Sequence, residues 1–375
     1  MNSVKPRASV PEIVAVTLLS LLMLIAGVLI AANYGNFAMR GQPGTAKMLS
    51  SEAMPRGMIM SADQNTEQMK GMAAVDPAQV GYTASADARG DRLLQPQVVN
   101  GVKVFHLTTS VITWHILKNR TVAAYAYNNQ VPGPMIRIRQ GDHIKVIVTN
   151  DLPEATSVHW HGLIVPNNMD GPPPLTQKAI APGSSFAYEF TPMQAGTFFY
   201  HSHVNADRQE ALGLYGAFII DPIKKSLKYD KEVDIQLGEW TVRGGRSYPA
   251  MPMEGLLPNF FTINGKAYPE TEPIHLRVGQ RLLVRFIGTS SGFEHPMHIH
   301  GGPFKIIATD GNPVPDSARL LKDTVLVAPG ERYDVIWRAR SKGKWLIHCH
   351  INHHTTNDGE EVNGAGGLTE VIDVD

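Results

Sequence analysis

From Val98 onward the chain breaks into short runs of β-branched and aromatic residues separated by turn residues. Met135-Ile136-Arg137-Ile138-Arg139 alternates apolar and polar positions, Gly141-Asp142 interrupts it, and Ile144 to Val148 alternates again. A period of two sends alternate side chains to opposite faces, which predicts half-buried antiparallel strands and an all-β fold. The stretch from Asn33 to about Gln95 has no such period and is rich in Gly, Ala, Ser and Gln, so it predicts a flexible tether over 33–95. Ahead of it, Ile13 to Ala32 is an uncharged apolar run following Lys5 and Arg7. Its length suits a bilayer span, so residues 1–32 read as a signal anchor or as a signal peptide cleaved at Ala31-Ala32-Asn33. With the basic residues kept in the cytoplasm, everything after residue 32 lies on the periplasmic or extracellular face, tied to the inner membrane through residues 13–32.

The pattern repeats. Val131-Pro132-Gly133-Pro134 with its following strands has a counterpart in Tyr268-Pro269-Glu270 and the run to Phe286. Ala181-Pro182-Gly183 returns as Ala328-Pro329-Gly330, and Tyr200-His201-Ser202-His203 as Ile347-His348-Cys349-His350; both offsets are 328 − 181 = 348 − 201 = 147. A duplicated β-sandwich explains this, with domains at 96–225 and 226–375 and a Lys-rich connection around Lys224, Lys225 and Lys228. The length of 375 residues accommodates two such domains. The 34 Gly and 26 Pro fit an all-β chain with many turns. Lys+Arg and Asp+Glu are both 34, so no basic surplus exists to hold nucleic acid.

The one cysteine, Cys349, has no internal disulfide partner, and in an exported protein a lone thiol points to another use such as a metal site. It stands inside one of four His-x-His pairs: His159/His161, His201/His203, His298/His300 and His348/His350. At this histidine frequency roughly 0.6 pairs would arise by chance. In a strand, residues i and i+2 share a face, so each pair can present two imidazoles to one place and the repeats can converge eight. Cys349 points the other way from His348 and His350, toward a face that His295 and His354 can join. Two imidazoles and a thiolate are a blue-copper donor set.

With these motifs in place, residues 100 to 375 resemble the multicopper oxidases, on His159-Trp160-His161-Gly162, His201-Ser202-His203, His295-Pro296-Met297-His298-Ile299-His300-Gly301 and His348-Cys349-His350 with His354. The resemblance implies two cupredoxin-like Greek-key sandwiches and four coppers per chain. His295, Cys349 and His354 would hold the type 1 copper; His159 and His298 the type 2; His161, His201, His203, His300, His348 and His350 the type 3 pair. A small reductant would give single electrons at the type 1 copper, with entry at His354, and O2 would be reduced to water. Ser202 stands where the second repeat has Cys349, so no type 1 copper is expected in the first domain. That matches the two-domain laccase-like group, whose members are homotrimers with the cluster shared between subunits. An insertion from Asn357 to Gly366 departs from the family and leaves Leu368, Thr369 or nothing beside the type 1 copper.

Asp170 matches a family acid near the type 2 copper and could relay protons; it could equally shape the Asp170-Gly171 turn. Glu294 could orient His295 or meet substrate. His106, His115, His143, His275 and His353 fall outside the motifs. The reductant stays open between phenols and the ions Cu(I), Fe(II) or Mn(II). Toward copper handling lean Met251 and Met253, with Met39, Met48, Met54, Met58, Met60, Met69 and Met72 of the tether, because thioethers suit Cu(I); core packing or a mobile loop is the more ordinary reading of the first two, and a plain linker that of the rest. A copper nitrite reductase or a non-enzymatic electron carrier would leave the eight paired histidines without a purpose.

Overall fold

A computed structural model describes residues 66–224 and 227–375. The first domain carries β1 (Tyr82–Thr83), β2 (Gln97–Val99), β3 (Val102–Leu117), β4 (Arg120–Tyr127), β5 (Ile136–Arg139), β6 (Ile144–Asn150), β7 (His159–His161), β8 (Ser185–Phe190), β9 (Gly196–His201) and β10 (Tyr215–Asp221). One sheet runs β1-β3-β6-β8, with β2 and β4 also paired to β3, and the other runs β5-β10-β9-β7. Strand β6 alternates buried and half-buried positions along its length, as its sequence period requires. The expectation of neighbouring antiparallel strands fails for β5 and β6, which belong to different sheets and each have a parallel partner, β10 and β3. The Gly141-Asp142 turn carries the chain across the sandwich, a connection that local periodicity cannot distinguish from a hairpin.

The second domain carries β11 (Lys231–Arg243), β12 (Arg246–Tyr248), β13 (Phe260–Ile263), β14 (Ile274–Leu276), β15 (Arg281–Ile287), β16 (His295–Ile299), β17 (Phe304–Thr309), β18 (Asn312–Pro313), β19 (Leu321–Lys322), β20 (Thr324–Val327), β21 (Arg332–Arg338), β22 (Gly343–Cys349) and β23 (Thr369–Val374). Its sheets run β12-β11-β15-β21-β17-β18 and β14-β23-β22-β16-β20. Each sandwich encloses its own aromatic and aliphatic core, one around Trp160, Tyr188, Phe198 and Phe218, the other around Phe286, Met297, Trp337 and Ile347. A charged seam joins them. Arg285 meets Asp334 at 2.6 Å and Glu232 at 2.7 Å, Thr197 donates to Asp334, and Arg137 bridges Asp221 and Glu232.

The tether expectation is corrected for residues 66–95. Helix α1 (Thr66–Met72) opens this segment. Met72, Val75 and Ala84 are buried, the backbone of Gly81 and Ala84 donates to Val111 and Thr113 of β3, and that of Val75 donates to Ser247 of β12. The segment straps both domains. Its few buried apolar residues join separate clusters, Val75 the first sandwich core, Met72 a cluster with Tyr248, and Ala84 one with Trp114 and Trp240, a role that needs no period. Met72 packs with Tyr248, Met251 and Leu256, so both Met72 and Met251 are core residues. Met39, Met48, Met54, Met58 and Met60, together with the apolar run Ile13 to Ala32, lie outside the described residues. Among the described residues no helix is long and apolar enough to cross a membrane.

Candidate metal centre

Strand pairing brings the histidine pairs together. In the first domain β7 and β9 run antiparallel with His159 opposite His201. In the second, β16 and β22 place His298 opposite His348. The period of two sends Trp160 and Met297 into the cores and leaves the flanking imidazoles on the other face. Two quartets result. The rings of His161, His201 and His203 lie 5.4 to 5.7 Å from His159. Those of His300, His348 and His350 lie 4.9 to 5.8 Å from His298.

Four of these rings hold Nδ1 against a backbone carbonyl. His159 Nδ1 faces the carbonyl of Asp170 at 2.8 Å and His298 Nδ1 that of Asp323 at 2.7 Å. His201 and His348 use the carbonyls of Ser202 and Cys349 at 2.9 and 2.8 Å. A ring that donates Nδ1–H to a carbonyl presents the Nε2 lone pair inward, which is how a protein orients an imidazole for a metal. Burial, joined by the neighbouring His201, pushes His161 down to about 3, so it is neutral at physiological pH. Burial opposes protonation of His201, but the Glu210 carboxylate 3.3 Å away outweighs it and raises this histidine. Asp170 also sets its carboxylate 3.5 Å from His159 Nδ1.

The third site is sealed. His295 Nδ1 and His354 Nδ1 are 3.1 Å apart, and Cys349 Sγ is 3.9 and 3.6 Å from them. All three residues are buried. Burial pushes the thiol of Cys349 up to about 12 and, with His295 beside it, pulls His354 down to about 3. A thiol that burial keeps protonated, facing the Nδ1 atoms of two imidazoles, fits one soft cation whose charge would displace the proton. Copper suits a His2Cys donor set, so the residues fit the metal. Leu368 is fully buried in the same core as Cys349 and its carbonyl accepts the Cys349 N–H at 3.1 Å; its side chain offers no donor atom. Gly367, with φ +44°, is required there because a Cβ would stand 2.1 Å from the His354 carbonyl.

His354, the expected point of electron entry, is enclosed. His354 is only 4% exposed: Phe261 stacks on it at 4.1 Å and Phe293 covers it at 5.4 Å. Glu294 is exposed. His295 Nε2 instead lies 3.1 Å from Glu239 Oε1 and 3.0 Å from Ser290 Oγ, and Glu239 Oε1 also accepts the Phe293 N–H at 3.0 Å. No motif marks Glu239. It lies in β11, which also carries Glu232, Asp234 and Gln236, so nothing in the sequence singles it out.

In the first domain the matching pocket is filled. Ser202 donates to Gln209 at 2.6 Å, and Thr156, three residues before His159 as His295 is before His298, donates to Gln209 at 2.8 Å. Three neutral groups satisfy one another where the second domain has three metal donors.

Comparison with known proteins agrees with this geometry. Two family models, both described as multicopper oxidase, match residues 108–225 and 248–358. The chain is similar to the blue copper oxidase of Nitrosomonas europaea, with TM-score 0.65 and 32% identity over 73% of this chain and 86% of that one. It is 34% identical to laccase-1 of Cryptococcus neoformans var. grubii over 59% of this chain and 39% of the relative, and 42% identical to copper resistance protein A of Pseudomonas syringae pv. tomato over 33% and 20%. The chain thus spans less than half the length of these two curated relatives.

Proposed function

The chain belongs to the multicopper oxidase family, and from that premise we propose that it is a laccase-like oxidase carrying one-electron oxidation of a small reductant through to four-electron reduction of O2 to water. The observation that carries this is the strand register around Cys349. Its thiol faces His295 and His354, while the adjacent His348 and His350 face the other way into the second-domain quartet. One strand end therefore links an electron-accepting site to an oxygen-reducing one through two peptide units.

In this reading His295, Cys349 and His354 hold a type 1 copper, His159 and His298 a type 2, and the six remaining paired histidines the type 3 pair, four coppers per chain. Copper there supplies one-electron redox steps and O2 binding. The protein excludes water from the type 1 ligands, orients the imidazoles through carbonyl acceptors and offers Asp170 for proton delivery. The proposal is tested by copper content per chain, the thiolate-to-copper absorption and EPR spectra, and O2 uptake with a phenol and with Cu(I). Four coppers, a blue band and O2 uptake are expected; one or two coppers without uptake would reduce the protein to an electron carrier. A preference for Cu(I) over phenol would turn the reading toward a metal-ion oxidase.

The active assembly is a homotrimer in this proposal. Among the described residues no hydrogen bond or ring contact joins the two quartets. A Cβ at Gly330 would stand 3.1 Å from the His161 ring, so the first-domain quartet abuts the β20–β21 turn of its own chain. A head-to-tail ring supplies the missing halves. Mixing a His161→Gln chain with a His300→Gln chain should restore part of the O2 uptake that each lacks. Mass measurement in solution should give three chains. Residues 13–32 anchor the protein to the outer face of the inner membrane in this reading, which fractionation of cells making residues 1–375 or 33–375 tests.

A further inference from the structure

Three carboxyl groups from distant parts of the chain line one cavity of about 320 Å³: Asp91 from the segment over 66–95, Asp234 from β11 and Glu370 from β23. Asp91 and Asp234 share a hydrogen bond, and Gln236 Nε2 donates to both, at 2.8 Å to Asp91 Oδ1 and 3.1 Å to Asp234 Oδ2. Asp91 reaches them from a left-handed backbone, φ +58°, a conformation that few residues other than glycine adopt. Glu370 is 6% exposed, and among the described residues its carboxyl has no hydrogen-bond donor and no ion-pair partner. Carboxylates enclosed by protein are ordinarily paired with a cation or bound to a metal.

The basic groups around the cavity are engaged elsewhere. Arg285 holds Asp334 and Glu232, Lys266 donates to the carbonyls of Ala86 and His115, and Arg89 donates to that of Glu270. Arg92 and Lys231 oppose part of the negative charge, but among the described residues neither forms an ion pair with the three acids. Enclosure outweighs them, aided by Glu272, and raises all three carboxyls above their ordinary range, Glu370 to about 8. The wall thus holds protons in the place of a positive charge.

We propose that this cavity binds one hard divalent cation, calcium in preference to magnesium, bridging Asp91, Asp234 and Glu370. The donors are all oxygen, with no imidazole or thiol among them, which suits a hard ion and not the soft ion of the Cys349 site. Gln236 Oε1 is buried without a donor, and half a turn of the amide brings it to where Nε2 now meets Asp91 and Asp234, as a fourth oxygen. Donors from separate elements favour calcium, which takes about six to eight oxygens in flexible geometry, where magnesium demands a near-ideal octahedron. Water in the cavity completes the shell. The ion displaces the protons and ties the 66–95 segment to β11 and β23, independently of the copper chemistry.

The test titrates CaCl2 into the full-length copper-loaded protein in a calorimeter, at about pH 6.5 in two buffers of different ionisation enthalpy, which counts the protons released. One calcium per chain should bind with Kd on the order of 10⁻⁵ to 10⁻³ M and release protons, a result that needs no variant. Asp234→Asn and Glu370→Gln keep the shape of groups that are protonated in the calcium-free chain, and each should weaken binding at least about tenfold. Asp316→Asn, an exposed acid outside this cavity, is the control and should leave binding unchanged. MgCl2 should bind more weakly than CaCl2. No calcium uptake up to about 10 mM, well above the range of weak calcium modules, would overturn the proposal. So would uptake without proton release, undiminished binding in either cavity variant, or magnesium bound as tightly as calcium.

Discussion

Glu239 Oε1 stands 3.1 Å from Nε2 of His295, and both side chains are sealed from solvent. Its other oxygen meets no hydrogen-bond donor, and a Cβ on Gly292 would come within 2.6 Å of it. The same carboxylate that holds the ligand ring also accepts the N–H of Phe293, so ligand and aromatic cover are fixed together.

Replacing Glu239 by Gln keeps the shape and removes the negative charge. An electron-donating anion behind the ligand favours Cu(II), so its loss should raise the type 1 potential, about 59 mV for each tenfold change in relative affinity. Copper affinity should fall about 10- to 100-fold. Redox titration of the blue band and copper retention against a chelator measure the two effects; an unchanged potential would reduce Glu239 to a packing residue.

Ser202→Cys supplies the first domain with a thiol in the place that Cys349 occupies in the second. No second blue band is expected, because Thr156 and Gln209 stand where imidazoles are needed. The lost Ser202–Gln209 hydrogen bond should cost about 1 kcal/mol, read from a denaturant midpoint. Cys349→Ser should abolish the blue band and one copper per chain.

Asp170 touches His159 with both its carbonyl and its carboxylate. Asp170→Asn retains the carbonyl and removes the base. Turnover should fall on the order of 10²-fold if the carboxylate delivers protons. Stopped-flow reduction of the blue band by ferrocyanide, followed by reoxidation with O2, locates the effect: reoxidation should slow. Equal slowing of both phases would assign Asp170 to the fold.

Glu370 is almost fully buried on β23, and burial, with Asp234 and Glu272 nearby, pushes it up to about 8 from an ordinary value near 4.5. The native chain therefore holds a proton that the unfolded chain releases between these values. Stability should be full below about pH 4.5 and decline as pH rises toward 8, by an amount on the order of a few kcal/mol. Copper-free Glu370→Gln should lose this decline. Denaturant midpoints between pH 5 and 8 compare the two proteins, and parallel curves would show that Glu370 is ionised in the fold.

The donor set was legible in the sequence because strand geometry is local. A period of two fixes that His159 and His161 share a face and that Cys349 opposes His348 and His350, whatever surrounds them. The repeat offset likewise announces the duplicated sandwich. Ser202 already excluded a thiolate from the first domain.

What only the tertiary structure decided depends on residues distant in sequence and on burial. Glu239 on β11 reaches His295 on β16 through packing, and no spacing rule connects them. His354 carries a ligand motif in either setting; whether it is exposed is decided by Phe261 from β13 and Phe293 from a separate loop. Residues 66–95 lack a period yet bury Met72 and Val75, because the clusters they join are made by side chains distant in sequence. The separation of the two quartets has the same origin: sequence sets which faces carry histidine, while the docking of the sandwiches sets which faces meet.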